Sequence, residues 1–411
     1  MGDDSFEELV RRLAPRVLGA LVRRYGRFDA AEDAVQEALL AASRQWGEHG
    51  VPEHPQAWLL RVASRKLIDL LRADQARRRR EVTAVSRELP ADTEAAAGAH
   101  DADDTLILLI MCCHPSLSPS SQIALTLRAV GGLTTAEIAR SLLTSESSTA
   151  RRITRAKRTV EESGVPFRMP SEAERPQRID AVLRVLYLIF TEGYSATSGP
   201  RLHRAGLAEE AIRLAEIAAA LLPEDGEAAG LLALMLLTDA RAPARLSERG
   251  ELVPLHEQDR RLWKAESIRR GVDLITRALP RGDVGQYQLQ AAIAAIHDEA
   301  PNSEATDWRQ IVALYRLLRQ VAPSPVVDLN HAVAVAMADG PTAGLALLDG
   351  LDDPRLTRDR RLHAVRAHLL ELAGEPGAAR TAYLRAAELA TNIHHVRYLN
   401  TRAQRLGEDT T

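Results

Sequence analysis

Cysteine is nearly missing from this chain, and aromatic residues are scarce. Its 411 residues include two cysteines, Cys112 and Cys113, side by side. Adjacent cysteines make a poor structural crosslink, so a disulfide-stapled secreted fold is excluded and a reducing, cytoplasmic setting is expected. Aromatic residues make up 4% of the chain. The cores must therefore be built from Ala, Leu, Val and Ile, which favours helices over sheets. Long apolar runs are lacking too. Ala228–Leu237 is one of the longest and falls well short of the roughly 20 residues of a membrane span, so no membrane partner is expected. The opening MGDDSFEELVRR has no basic n-region and no apolar h-region, so no signal peptide is expected. A large excess of one charge is also missing, the net charge being −3. Any grip on nucleic acid must come from local basic patches.

The length points to two or three domains. Residues 6–81 read as helical and end in a run of arginines. Residues 82–103 are Ala-rich and acidic, without a sustained apolar face, and read as a flexible linker. A second helical block covers 104–164. Three prolines in VPFRMPSEAERPQR mark the next boundary. Everything from 179 to 408 reads as helical again, with no β-branched alternation, so the expected fold class is all-α. Within this last zone, SPVVDLNHAVAVAMADGPTAGLALLDGL and RRLHAVRAHLLELAGEPGAARTAYLRAAEL can be overlaid as helix, Gly break, helix. Gly340 and Gly374 stand 34 residues apart, the period of tetratricopeptide repeats. Glu209–Leu222 and Glu227–Leu237 form a more degenerate pair. Such arrays bury a continuous core and leave a concave face for a protein partner of the extension or for another part of the same chain.

Three stretches carry candidate binding chemistry. Asp33, Gln36 and Glu37 share one helix face, either solvated or a dock for a basic surface. Next, Arg61, Arg65, Asp69 and Arg72 form a polar stripe on a helix that also carries Lys66 and Trp58. Cations with a nearby aromatic suit single-stranded DNA, although Trp58, beside Leu59 and Leu60, reads as core. Arg77–Arg80 offer either a phosphate contact or a basic tail. Further on, Thr134 and Glu137 make a capping box that opens one helix, and Ser145 can cap the next. That second helix carries Ser147, Ser148, Arg151, Arg152, Arg155, Lys157 and Arg158. A capped helix, a short turn and a basic helix follow the logic of a helix-turn-helix. Cys112, Cys113 and His114 have no matching ligand pair and read as the end of a buried helix, not as a metal site. His394 and His395 read as helix-surface residues. No Gly-rich phosphate loop or nucleophile–base set appears, so neither enzymatic activity nor a cofactor is expected.

The stretches DAVQEALLAASRQW, AWLLRVASRKLIDLLR and LTTAEIARSLLTSESSTARRITRAKR, in this order, resemble the two conserved domains of extracytoplasmic-function sigma factors. The resemblance covers roughly residues 6–162. It implies that Asp33, Gln36 and Glu37 bind core RNA polymerase at the β′ clamp helices. By the same resemblance, Trp58, Arg61, Arg65, Lys66 and Arg72 serve the −10 element. Ser147, Ser148, Arg151, Arg152 and Arg155 face the −35 element, beside the β flap. The acidic linker then threads the polymerase channel. Leu39 stands where the family has an aromatic, Arg65 where it commonly has Asn, and Leu143 where it has a turn Gly. The remaining 245 or so residues resemble the subgroup with a large tetratricopeptide-like extension, and VLYLIFTEGYSATSG resembles its signature. The local reading of that segment buries Leu186, Ile189 and Phe190 and ends the helix at Gly193.

The expected function is that of a sigma factor directing core RNA polymerase to promoter DNA, with an extension that regulates activity or binds a partner. The alternative is a helix-turn-helix regulator with a repeat-based sensor, which never joins polymerase and for which Asp33, Gln36 and Glu37 are dispensable.

Overall fold

A computed structural model describes residues 3–81, 101–195 except 143 and 166, and 202–408 except 281, 352, 354, 355 and 358. The expected all-α fold is observed: among the described residues the only β feature is an isolated bridge between Leu246 and Leu252. The chain divides into two compact units, Met1–Leu186 and Tyr187–Thr411. The proposed linker falls mostly on 82–100, outside the described residues, as does Leu143.

The first unit opens with three long helices, α1 (Asp3–Tyr25), α2 (Phe28–His49) and α3 (Pro55–Glu81). Gly26, at φ +65°, makes the turn between α1 and α2. Val17, Leu18, Leu21 and Val22 of α1 recur at helical spacing and are buried. They meet Ala31, Ala34, Val35, Ala38 and Ala42 of α2, and Leu59, Ala63 and Leu67 of α3. The small alanines of α2 let its neighbours approach closely.

Four shorter helices follow: α4 (Asp101–Cys112), α5 (Pro119–Ala129), α6 (Thr135–Ser141) and α7 (Glu146–Glu162). Helix α4 packs along α1. Cys112 and Cys113 close α4 as fully buried free thiols, and burial pushes Cys113 up to about 12. Helix α8 (Arg175–Tyr194) begins in this unit, where Arg178 donates from Nη2 to the Ile110 carbonyl at 3.2 Å.

Among its described residues the second unit stacks α9 (Ala205–Leu221), α10 (Gly226–Ala240), α11 (Ala265–Ala278), α12 (Gln286–Glu299), α13 (Trp308–Val321), α14 (Pro325–Asp339), α15 (Pro341–Asp349), α16 (Arg360–Leu372), α17 (Pro376–Leu389) and α18 (Ile393–Glu408). Most pack on the next in sequence. The two overlaid segments form helical hairpins, α14–α15 and α16–α17, with Gly340 (φ +101°) and Gly374 (φ +78°) at their breaks. Ala379, Tyr383, Ala386 and Ala387 are buried on α17, and the Tyr383 hydroxyl donates to Glu371 at 2.7 Å.

Three expectations are corrected here. Residues 241–264 are not helical beyond three short 3-10 turns, because Pro243, Gly250 and Pro254 interrupt the pattern. This segment reaches α12, where Arg260 donates to the Ala300 carbonyl at 2.7 Å, and α18, where His394 Nδ1 lies 3.0 Å from the Gly250 carbonyl. It also reaches α16, where His256 stacks on His368 at 5.6 Å. Accordingly, His394 and His395 are not surface residues. Both are partly buried, and burial lowers His395 to about 4. Gly193 does not end α8, which runs on to Tyr194; it admits α9, since a Cβ there would lie 2.4 Å from the Ala208 nitrogen.

Candidate nucleic-acid interface

The basic helices are held by local signals. On α6 the Thr134 side chain accepts from the Glu137 amide at 3.2 Å, and the Glu137 carboxylate accepts from the Thr134 amide at 2.7 Å. On α7 the Ser145 hydroxyl accepts from the Ser148 amide at 3.2 Å. Across the turn, the Thr144 and Thr149 hydroxyls meet at 2.7 Å and fix the angle at which α7 leaves.

Helix α7 has two clean faces. Thr149, Ile153, Ala156, Lys157 and Val160 are buried. Ser147, Arg151, Thr154, Arg155 and Arg158 are exposed along the opposite stripe, as the 3.6-residue period requires. Ser148 and Arg152 lie half-buried on the flank. Arg158 is 3.4 Å from Glu162, one turn on. Thus Ser147, Arg151 and Arg155 form the part of the expected set that points straight outward.

On α3, Arg61, Arg65, Lys66, Asp69 and Arg72 are exposed, opposite the buried Leu59, Ala63 and Leu67. Trp58 is half-buried and stands edge-on to Trp46 at 5.4 Å. Its ring therefore supports the bundle while one side stays accessible. Leu70 is also exposed. The side chains of Arg77–Arg80 lie outside the described residues.

On α2, Asp33 and Glu37 are exposed and Gln36 is half-buried. Leu40 extends this face by one turn at 55% exposure. Lys66 approaches Glu37 at 3.7 Å and ties this face to α3. Burial, and then the nearby Asp29 carboxylate, raise Asp33 above its ordinary value.

A second group of charges was not anticipated. Glu32 on α2 is ion-paired with both Arg128 of α5 and Lys157 of α7. Asp29 accepts from Lys157 at 2.9 Å. Lys157 belongs to the buried face, not to the cationic stripe. Burial alone would lower its ammonium, but Glu32 and Asp29 outweigh this and hold it above its ordinary value. The available signal was positional: Glu32 sits between Ala31 and Ala34, and Lys157 beside Ala156, each on an otherwise apolar face.

Among the described residues, no helix is long and apolar enough to cross a membrane. Residues 9–78 match the family Sigma-70 region 2, and residues 107–160 match Sigma-70, region 4. Residues 178–279 match a family of unknown function, DUF6596. An uncharacterized protein of Rhizobium meliloti is 42% identical over 403 residues, covering 96% of this chain and 94% of that protein. The RNA polymerase sigma factor CarQ of Myxococcus xanthus is 31% identical over 135 residues, 33% of this chain and 75% of CarQ. The ECF RNA polymerase sigma factor SigK of Mycobacterium ulcerans is 28% identical over 146 residues, 35% of this chain and 78% of SigK. Two ordered sigma domains, each with its basic helix turned outward, followed by a helical region shared along almost its whole length with the Rhizobium protein, identify the chain as a member of the extracytoplasmic-function sigma factors that carries a long C-terminal extension.

Proposed function

We propose that this sigma factor divides its work among three exposed faces. The α2 face of Asp33, Gln36 and Glu37, with Leu40 beside them, docks on the β′ clamp helices of core RNA polymerase. The α3 stripe of Arg61, Arg65, Lys66 and Arg72, with the open side of Trp58, engages the −10 element as its strands part. The outward residues of α7, Ser147, Arg151 and Arg155, enter the major groove of the −35 element beside the β flap, with Ser148 and Arg152 on the flank. The extension regulates the assembly or recruits a protein partner.

One observation carries this reading. Outward cations are segregated from a buried face on two separately capped or bundled helices, and neither stripe is consumed by the core. The test is run-off transcription by the full chain with purified core polymerase, on promoter DNA from its own locus. Specific initiation that is lost in Glu37→Ala without loss of helicity supports the three-face assignment. Promoter binding that needs no core polymerase and survives Glu37→Ala points instead to a free-standing helix-turn-helix regulator.

A further inference from the structure

The group around Glu32 joins the two sigma domains. Glu32 and Asp29 belong to α2, in the first domain; Arg128 and Lys157 belong to α5 and α7, in the second. The Glu32 side chain is 4% exposed and that of Lys157 10%. The Asp29 amide also donates to Glu161 at 3.4 Å, and Arg128 spends a second donor on the Leu133 carbonyl at 3.2 Å. A second joint lies along α1 and α4. There Arg23 is 3.3 Å from Asp104, whose side chain is 2% exposed. Gly19 allows this approach, since a Cβ on it would lie 3.0 Å from the Asp104 Cβ and carbonyl oxygen.

The joint conflicts with the task of the two stripes. A compact body of some 186 residues is about 40 Å across. Elements centred near −10 and −35 are about 25 base pairs apart, or about 85 Å of duplex. With α2 bound to α5 and α7, the α3 and α7 stripes cannot reach both elements together. We propose that the Glu32–Arg128–Lys157 cluster is an autoinhibitory latch, closed in the resting chain and opened when the two domains spread on polymerase and promoter. This rests on the −10 and −35 reading above.

The chemistry suits a reversible catch. A buried ion pair gains little net stability, because each charge gives up its hydration to form it. On opening, Glu32, Arg128 and Lys157 return to water, while Asp29 is already 58% exposed. At this cluster, opening leaves charged groups rather than apolar ones on both domains. Glu32 of the latch immediately precedes Asp33, so docking at the α2 face takes place next to it.

The test places a fluorophore pair on the full chain through Ser43→Cys and Ser120→Cys, both exposed positions, one in each domain. Cys112 and Cys113 are buried and take no label. Glu32→Gln and, separately, Lys157→Gln should each lower energy transfer and shift the closed-to-open ratio about ten-fold or more, since either change leaves the buried cluster with an unbalanced charge. Core polymerase should bind both variants correspondingly tighter. Glu48→Gln, on the exposed end of α2, should change neither. Unchanged transfer in a Glu32→Gln chain of normal helicity overturns the latch. If that variant fails to fold, the wild-type pair is followed on adding core polymerase and promoter: transfer that persists in an initiating complex overturns the latch, and its loss supports it. A chain that opens as described yet initiates nowhere removes the promoter reading and leaves the latch standing.

Discussion

Replacing Arg151 by alanine should separate base reading from phosphate contact. Arg151 lies near the start of α7 on the outward stripe, one turn after Ser147 and one before Arg155. Its removal costs the fold little, because the side chain is exposed and alanine is the better helix former. The second domain should therefore keep its melting temperature. The loss falls on binding. A bidentate contact to guanine is worth about 1–3 kcal/mol, or roughly 5- to 150-fold in affinity, and its removal relaxes preference at one base pair. A phosphate contact instead weakens all sequences alike and reduces the slope of log K against log salt by about 0.9. Arg158 is the internal comparison. It shares the stripe but sits 3.4 Å from Glu162, two turns further from the helix start, so Arg158→Ala should lower the slope without altering base preference. The assay is fluorescence anisotropy of holoenzyme on labelled promoter duplexes, with single base-pair changes, across a salt series. The assignment is refuted if Arg151→Ala binds within two-fold of the parent at every salt and sequence while Arg158→Ala changes base preference.

Other consequences follow for stability. Gly193→Ala should destabilise the extension by about 1–3 kcal/mol and lower its melting temperature, because the new methyl meets the Ala208 backbone rather than a movable side chain; a variant that melts with the parent contradicts the close approach of α8 and α9. Tyr383→Phe should cost only about 1 kcal/mol by denaturant titration, since Glu371 keeps its 2.6 Å bond to Arg402 when the hydroxyl is lost. Acid should weaken the extension. Burial lowers His297 to about 3 and His395 to about 4, so both are neutral when folded and take up protons on unfolding below about 6.5. Burial raises Asp298 to about 6, so it works in the opposite sense, releasing a proton on unfolding above about 4. Between about pH 4.5 and 5.5 the unfolded state then binds at least one proton more on balance, and stability should rise by about 1.4 kcal/mol per pH unit or more. Burial lowers His203, His331 and His368 as well, which adds to the slope. Thermal melts that fall as the pH rises through this window would contradict the burial of His297 and His395.

What could be read from the chain was what short range decides. The Thr134–Glu137 box and the Ser145 cap act over three residues, and both stand as expected. The 34-residue spacing of Gly340 and Gly374 marks two hairpin breaks because each needs positive φ, which glycine adopts without strain. The stripes on α3 and α7 emerge from periodicity alone. What escaped is set by residues far apart in sequence. Glu32 meets partners 96 and 125 positions away, and no window of the sequence contains both. His394 looked like surface until Gly250, 144 residues earlier, came against it. Gly193 has the position of a helix terminator, and only the arrival of α9 reveals it as a contact point.

The irregular stretch between α10 and α11 changes how the extension behaves as a material. Repeat arrays ordinarily resemble a row of bricks, each stable through its two neighbours, so an end can fray while the middle stands. Here the chain between 241 and 264 runs out as a tie-rod to α12, α16 and α18. Its far anchor is the ion pair of Glu257 with Arg402, 145 residues on. Fraying at the C-terminal helix must break contacts made near the start of the array. The extension should therefore melt in one step, not peel. It should also fold slowly for a helical protein, because the rod cannot be fastened until the last helix has been made.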